Sequence, residues 1–218
     1  MRTQQLHHLR SRGFSLIELL VVIGIISLMA GLIGKALSSN NGAGSIKASQ
    51  RVLAGLVQTA RTQALLKQER VRVLIHADED DPNRYRRFAG LVYFDSTQDG
   101  WVAVNDGTLL PSGAYFSIDS VNSTFSSNNT IAIQYPRRTA QKLGSGDSYY
   151  YVEFNADGTV LTPPAPLIAV QAARLNGPVS PGNVPLENDD EIMAAIAIHK
   201  LGTVSFLDDA QIIREQGL

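Results

Sequence analysis

No cysteine occurs among the 218 residues, so disulfides, thiolate zinc sites, iron–sulfur clusters and cysteine nucleophiles are excluded. That absence sets no compartment, because a chain of this length buries enough surface without covalent staples. Histidine is scarce: there are four, and His7 and His8 lie in the first eight residues, a thin inventory for metal-centred catalysis. Charge is sparse as well, at 18% of residues against roughly 25% in soluble globular domains. Nineteen Lys and Arg against twenty Asp and Glu leave a net −1, which argues against a protein that coats nucleic acid or an anionic membrane by bulk charge. Also missing are any G-x-S-x-G, Walker-type or G-x-G-x-x-G sequence, and no Ser/His/Asp set has supporting context. No enzyme activity is expected.

What is present is concentrated at the start of the chain. Residues 1–13 carry Arg2, Arg10 and Arg12 and no acid, and the 21 residues from Phe14 to Gly34 contain one charge, Glu18, before Lys35. As a helix that run spans ~30 Å, enough to cross a bilayer core, and the preceding arginines set the N-terminus on the cytoplasmic side. An ordinary secretory signal has a shorter apolar core followed by a small-residue cleavage site. A plain signal anchor explains everything here except Glu18. A carboxylate deep in a spanning helix costs about 2.5–3.5 kcal/mol, so Glu18 is either a hydrated interface residue or a functional one with a partner.

The segment Arg12-Gly13-Phe14-Ser15-Leu16-Ile17-Glu18-Leu19-Leu20-Val21-Val22-Ile23 resembles the class III signal of bacterial type IV pilins and type II secretion pseudopilins. It has the basic leader, the obligatory Gly, an aromatic, and a Glu five residues after the Gly inside an apolar run. The resemblance implies a structural filament subunit. A prepilin peptidase would cleave between Gly13 and Phe14 and methylate the Phe14 amine, leaving 205 residues with a formal charge of −4. It further implies assembly through Glu18, other pilin or pseudopilin subunits and an inner-membrane assembly platform as partners, and a single-pass inner-membrane protein whose head lies in the periplasm or at the cell surface. Ser27/Gly31 and Ala30/Gly34 are small-xxx-small pairs of the kind that let membrane helices approach closely.

Beyond the apolar run, 38–45 is rich in Ser, Asn and Gly, all poor helix formers, and helical spacing resumes with Leu53, Leu56, Val57, Ala60 and Ala64. The expected domains are a leader over 1–13, a long helix over 14–67 whose first part, 14–34, spans the membrane, and an exported head over 68–218. The helix is read as kinked or unwound near 38–45. After Glu69 the period changes to two, and strands are expected at 71–75, 88–94, 101–104, 115–118, 130–135, 149–154, 167–173, 192–199 and 203–207, with Asp-Gly turns at 99–100, 106–107 and 157–158. Six of the nine prolines lie between Pro163 and Pro185, so 174–191 reads as a long surface loop. The fold class is α+β, the pilin-like arrangement of a long N-terminal helix on an antiparallel sheet or sandwich. The head is similar to H-type minor pseudopilins and FimT-like minor pilins through Ala60-Arg61-x-x-Ala64, the Val-x-Val-x-Ile strand, and Phe154-Asn-Ala-Asp157-Gly158-Thr-Val160.

Other features weigh toward bland roles. His76 and His199 stand apart and make no metal site. Asn188-Asp189-Asp190-Glu191 offers hard oxygens, and some major pseudopilins bind calcium in a head loop. The run lacks spaced ligands and a turn glycine, so it reads as solvated, with no metal and no cofactor. Arg84, Arg86 and Arg87 interleave with Tyr85 and Phe88, and Arg137, Arg138 and Lys142 form a second basic cluster. These are the candidate DNA or anion contacts. The neighbouring acids 78–81 offer the arginines simple ion-pair partners, and the net negative head weighs against nucleic acid. The alternative to a filament subunit is thus a membrane-anchored β-sandwich that binds DNA or an exported substrate.

Overall fold

A computed structural model describes residues 16–39, 41–118, 130–161, 166–210 and 212–213, without the side chains of 30–39, 41 and 190. Helix α1, Leu16–Ser39, belongs to one unit, and everything from Asn41 onward to a second. All fourteen described side chains of α1, from Leu16 to Met29, are exposed. Among the described residues no helix is long and apolar enough to cross a membrane.

Helix α2, Asn41–Lys67, begins inside the segment expected to be kinked or unwound. Only residue 40 of that segment lies outside the described residues, and 41–45 are helical. Two things override the weak local propensity. The Ser45 and Ser49 hydroxyls donate back to the carbonyls of Gly42 and Ser45, at 2.8 and 2.7 Å, and Ile46, one turn further on, is buried in the core. From there the helix keeps a 3.6-residue apolar face, with Ile46, Leu53, Val57, Ala60 and Ala64 buried.

That face fills the space between two antiparallel sheets. The first is built from β1 (Val71–His76), β2 (Phe88–Asp95), β3 (Gly100–Ala103), the two-residue β4 (Thr108–Leu109), β6 (Thr130–Ile133) and β7 (Asp147–Phe154), in the order β3-β2-β1-β7-β6, with β4 paired to β2. The second contains β5 (Ala114–Phe116), β8 (Leu167–Leu175), β9 (Leu186–Ile198) and β10 (Val204–Leu207), in the order β10-β9-β8-β5. One core cluster joins α2 to Val71, Val73, Ile75, Leu91, Val152 and Phe154 of the first sheet and to Phe116, Ile168, Val170, Ile196 and Ile198 of the second. A second cluster, with Leu74, Val92, Trp101, Tyr135 and Tyr149, packs on the opposite face of the first sheet. This is the α+β arrangement expected, and each of the nine expected strands has a counterpart.

The stretch 174–191 is not one long loop. Strand β8 runs on to Leu175 and β9 starts at Leu186, so the loop is confined to 176–185. An irregularity between Gln171 and Ala172 shifts the register, and beyond it Arg174 pairs with Glu187, side chain to side chain at 2.9–3.0 Å. Asn188-Asp189-Asp190-Glu191 therefore lies within β9 instead of in a solvated loop. Its strand character comes from main-chain pairing and carries no apolar alternation, which is why the sequence pattern misses it.

Candidate functional site

Gly13 and Phe14 fall outside the described residues, as do the side chains of Ala30, Gly31 and Gly34. Glu18 sits in the first turn of α1, where a carboxylate is favoured by the helix dipole, and Ser27 is exposed further along. Around Glu18, Leu16, Ile17, Leu19, Leu20, Val21 and Val22 are all exposed, so the helix presents apolar surface on every side. A helix apolar all round is covered in its working state by lipid or by other helices.

The basic clusters are engaged within the head. Arg84 donates to Asp147 at 2.8 Å, lies 3.7 Å from Asp81, and stacks over the Phe88 ring at 4.3 Å. Arg86 is buried, its Nε donating to the Phe116 carbonyl at 2.7 Å. Arg87 donates to the Leu110 carbonyl at 3.2 Å. Arg138 bonds the Val104 carbonyl and Asp106, at 2.8 and 2.7 Å; Lys142 pairs with Asp99. Arg137 is exposed and reaches Thr139 and Gln134 at 2.9 and 3.0 Å. Turn fastening accounts for most of these side chains, and Asp81 does pair with Arg84.

His76 is fully buried on β1, with its Nε2 3.6 Å from Asp147 and its ring edge-on to Tyr149. Neither ring nitrogen has a hydrogen bond among the described residues. Burial, and after it the Arg84 guanidinium, holds this imidazole below its ordinary pKa, against the opposite pull of Asp147, Asp81 and Asp78. His199 is exposed and 2.7 Å from the Ser205 hydroxyl. No group of three or more potential ligands capable of holding a metal occurs among the described residues.

One cluster escaped the sequence reading. Arg72 and Glu153 face each other across β1 and β7 and pair at 2.6 Å, with Arg70 joining Glu153 at 3.2 Å. Arg72 lies between Trp101 and Tyr151, 4.1 and 4.3 Å from their ring centres. Its signal was Arg72 within the apolar run 71–75 and Glu153 within the apolar and aromatic run 149–154, a match that becomes visible only once those strands are paired.

Comparison with known proteins places the matching signal in the N-terminal segment. Residues 8–34 match the family described as the prokaryotic N-terminal methylation motif, so the resemblance read in residues 12–23 is borne out there. No curated protein matches the sequence. Among solved structures, the chain is similar to the type IV minor pilin FimU of Pseudomonas aeruginosa, at 12% identity and a TM-score of 0.44, covering 77% of this chain and 91% of that one. It is also similar to the minor pseudopilin EpsH of the Vibrio cholerae type II secretion system, at 13% identity and a TM-score of 0.42, covering 77% and 96%.

Proposed function

We propose that the chain is a pilin-like structural subunit, not an enzyme, that serves as a minor component of a type II secretion or type IV pilus filament. The methylation motif over residues 8–34 carries this reading. It joins a basic leader, Gly13, Phe14 and Glu18 to an apolar helix whose described side chains are exposed. In this reading a prepilin peptidase cuts between Gly13 and Phe14 at the cytoplasmic face and methylates the Phe14 amine. Residues 14–34 anchor the precursor in the inner membrane, and the head is exported. Other pilin or pseudopilin subunits and an inner-membrane assembly platform are its partners, and the small residues Ser27, Ala30, Gly31 and Gly34 allow close helix approach. The DNA-binding alternative is not favoured, because Arg84, Arg86, Arg87 and Arg138 are spent on internal contacts.

Intact-mass measurement of the native protein tests the assignment. The expected mass lacks residues 1–13 and carries one added methyl group, and Gly13→Val leaves a full-length, membrane-bound precursor. Glycine is needed because, without a Cβ, its backbone takes conformations other residues avoid in a protease groove. A mature protein that still begins at Met1 overturns the assignment.

A further inference from the structure

Three of the four sheet edges are covered by the chain itself. Outside β3, Trp101 exchanges main-chain bonds with Gln141 at 2.8 and 3.1 Å, and Ala103 donates to the Arg137 carbonyl. Outside β6, Gly144 donates to Ala132; outside β5, Phe116 donates to Arg86. The fourth edge, β10, differs. It pairs with β9 alone, Ser205 opposite Ala197 and Leu207 opposite Ala195. The bond from His199 to the Thr203 carbonyl fixes the phase. Thr203, Ser205 and Leu207 direct their main-chain groups at β9, and by antiparallel alternation Val204 and Phe206 direct theirs outward. Neither has a main-chain partner there among the described residues. The Phe206 side chain is 55% exposed and shares a face with Val204, which packs toward α2.

One flank of α2 runs beside this edge. Lys47 pairs with Asp208 at 3.0 Å, and Gln50 donates to the Leu207 carbonyl at 3.1 Å. At the other end, a Cβ on Gly202 would come within 2.8 Å of Arg61 Cδ. From residue 47 to 61 a helix rises about 21 Å, and from 202 to 208 a strand spans about 20 Å, so helix and strand run antiparallel in step. Residues 47, 51, 54, 58 and 61 recur at helical spacing on that flank. It therefore presents Lys47, Arg51, Ala54, Gln58 and Arg61, and α2 contains no acid anywhere. Among the described residues, exposed Arg51 has no hydrogen bond or ion pair, and half-buried Arg61 has no acceptor for its buried Nε.

We infer that the open edge of β10, banked by the cationic flank of α2, takes an extended acidic peptide segment as an added strand. The outward N–H and C=O groups of Val204 and Phe206 recur every two residues, the repeat of a peptide backbone and not of a phosphodiester. Phe206 supplies an apolar cross-strand contact, and Arg51 and Arg61 select carboxylates on the side of the incoming strand that faces α2. Sheet edges left open are a hazard that proteins usually cover, and among the described residues three of four are covered and this one is available for a partner. The inference does not depend on the filament reading.

The test uses the full chain in detergent micelles and a fluorescein-labelled (Glu-Val)4 peptide, followed by fluorescence anisotropy. Saturable binding is expected, at least tenfold weaker with Arg51→Glu and absent for (Lys-Val)4. Methylating alternate backbone nitrogens of the acidic peptide removes its strand donors while keeping its charge, and should also weaken binding at least tenfold. Undiminished binding of the N-methylated peptide, no effect of Arg51→Glu, or tighter binding of an oligodeoxythymidylate of equal charge would each overturn the inference.

Discussion

Arginine at 72 and glutamate at 153 occupy strand positions where an apolar residue would pack more simply, and they are tolerated because they meet. The pair is nearly closed to solvent, with side chains 10% and 4% exposed, and Trp101 and Tyr151 sandwich the guanidinium. His76 lacks such compensation. Its neutral ring is buried without a hydrogen bond among the described residues, so a proton placed there loses hydration and meets Arg84. Because its pKa in the folded state lies below the ordinary 6.5, the folded protein binds fewer protons than the unfolded chain once the pH drops below that value. Stability is therefore unaffected by this group above about pH 6.5 and declines as the pH falls through the window down to the folded pKa. Urea midpoints measured at about pH 5 and about pH 7.5 should differ in the native protein, and the His76→Phe variant should lose the part of that difference due to this residue. An unchanged pH dependence in the variant would mean that other groups govern acid sensitivity.

The elements differ in how openly the sequence declares them. Strand β1 alternates Val71, Val73 and Ile75 with the residues of its other face, and α2 repeats Leu53, Val57, Ala60 and Ala64. Both were legible because a periodic buried face leaves a periodic mark. The first turn of α2 and the outer end of β9 were not, because Gly, Ser, Asn and Asp hold those conformations through contacts made elsewhere, Ile46 with the core in one case and Arg174 with Glu187 in the other. Arg86 looked like a surface cation because sequence cannot reveal that the carbonyl of Phe116 comes to meet it. Close approach inside the first sheet was equally hidden. A Cβ on Gly90 of β2 would stand 2.3 Å from the Tyr135 ring, whose hydroxyl is held by the Asn105 carbonyl at 2.8 Å. Gly90→Ala should accordingly destabilise the head by about 1–3 kcal/mol through overpacking. Adding Tyr135→Leu, which removes the obstructing ring atoms, should make the alanine cost smaller in that background than in the native one. Equal costs in both backgrounds, read from thermal unfolding, would place the penalty elsewhere.

At the scale of the whole molecule, the head holds its own cores: every buried apolar residue described lies at or beyond Ile46. The described side chains of α1 are exposed throughout. Under the proposed function, folding and assembly fall to different parts of the chain, and a change at the start of α1 should affect the second without the first. Glu18 is the sharpest case. Under the proposed processing, cleavage creates a cationic amine at Phe14 in every subunit, and Glu18 follows four residues later. Charges ~4 Å apart attract by about 1 kcal/mol in water and several times more at low effective dielectric. Within one subunit the pairing requires the chain end to fold back along its first turn. In the proposed filament, an incoming Glu18 would meet the Phe14 amine of its neighbour and so fix the axial register as the helix leaves the bilayer. Glu18→Gln keeps the size and removes the charge, so it should be cleaved after Gly13, insert normally and retain the native melting temperature of the head, yet be missing from sheared filaments analysed by mass spectrometry. Recovery of this variant in filaments at the native level would reduce Glu18 to a hydrated residue at the membrane interface.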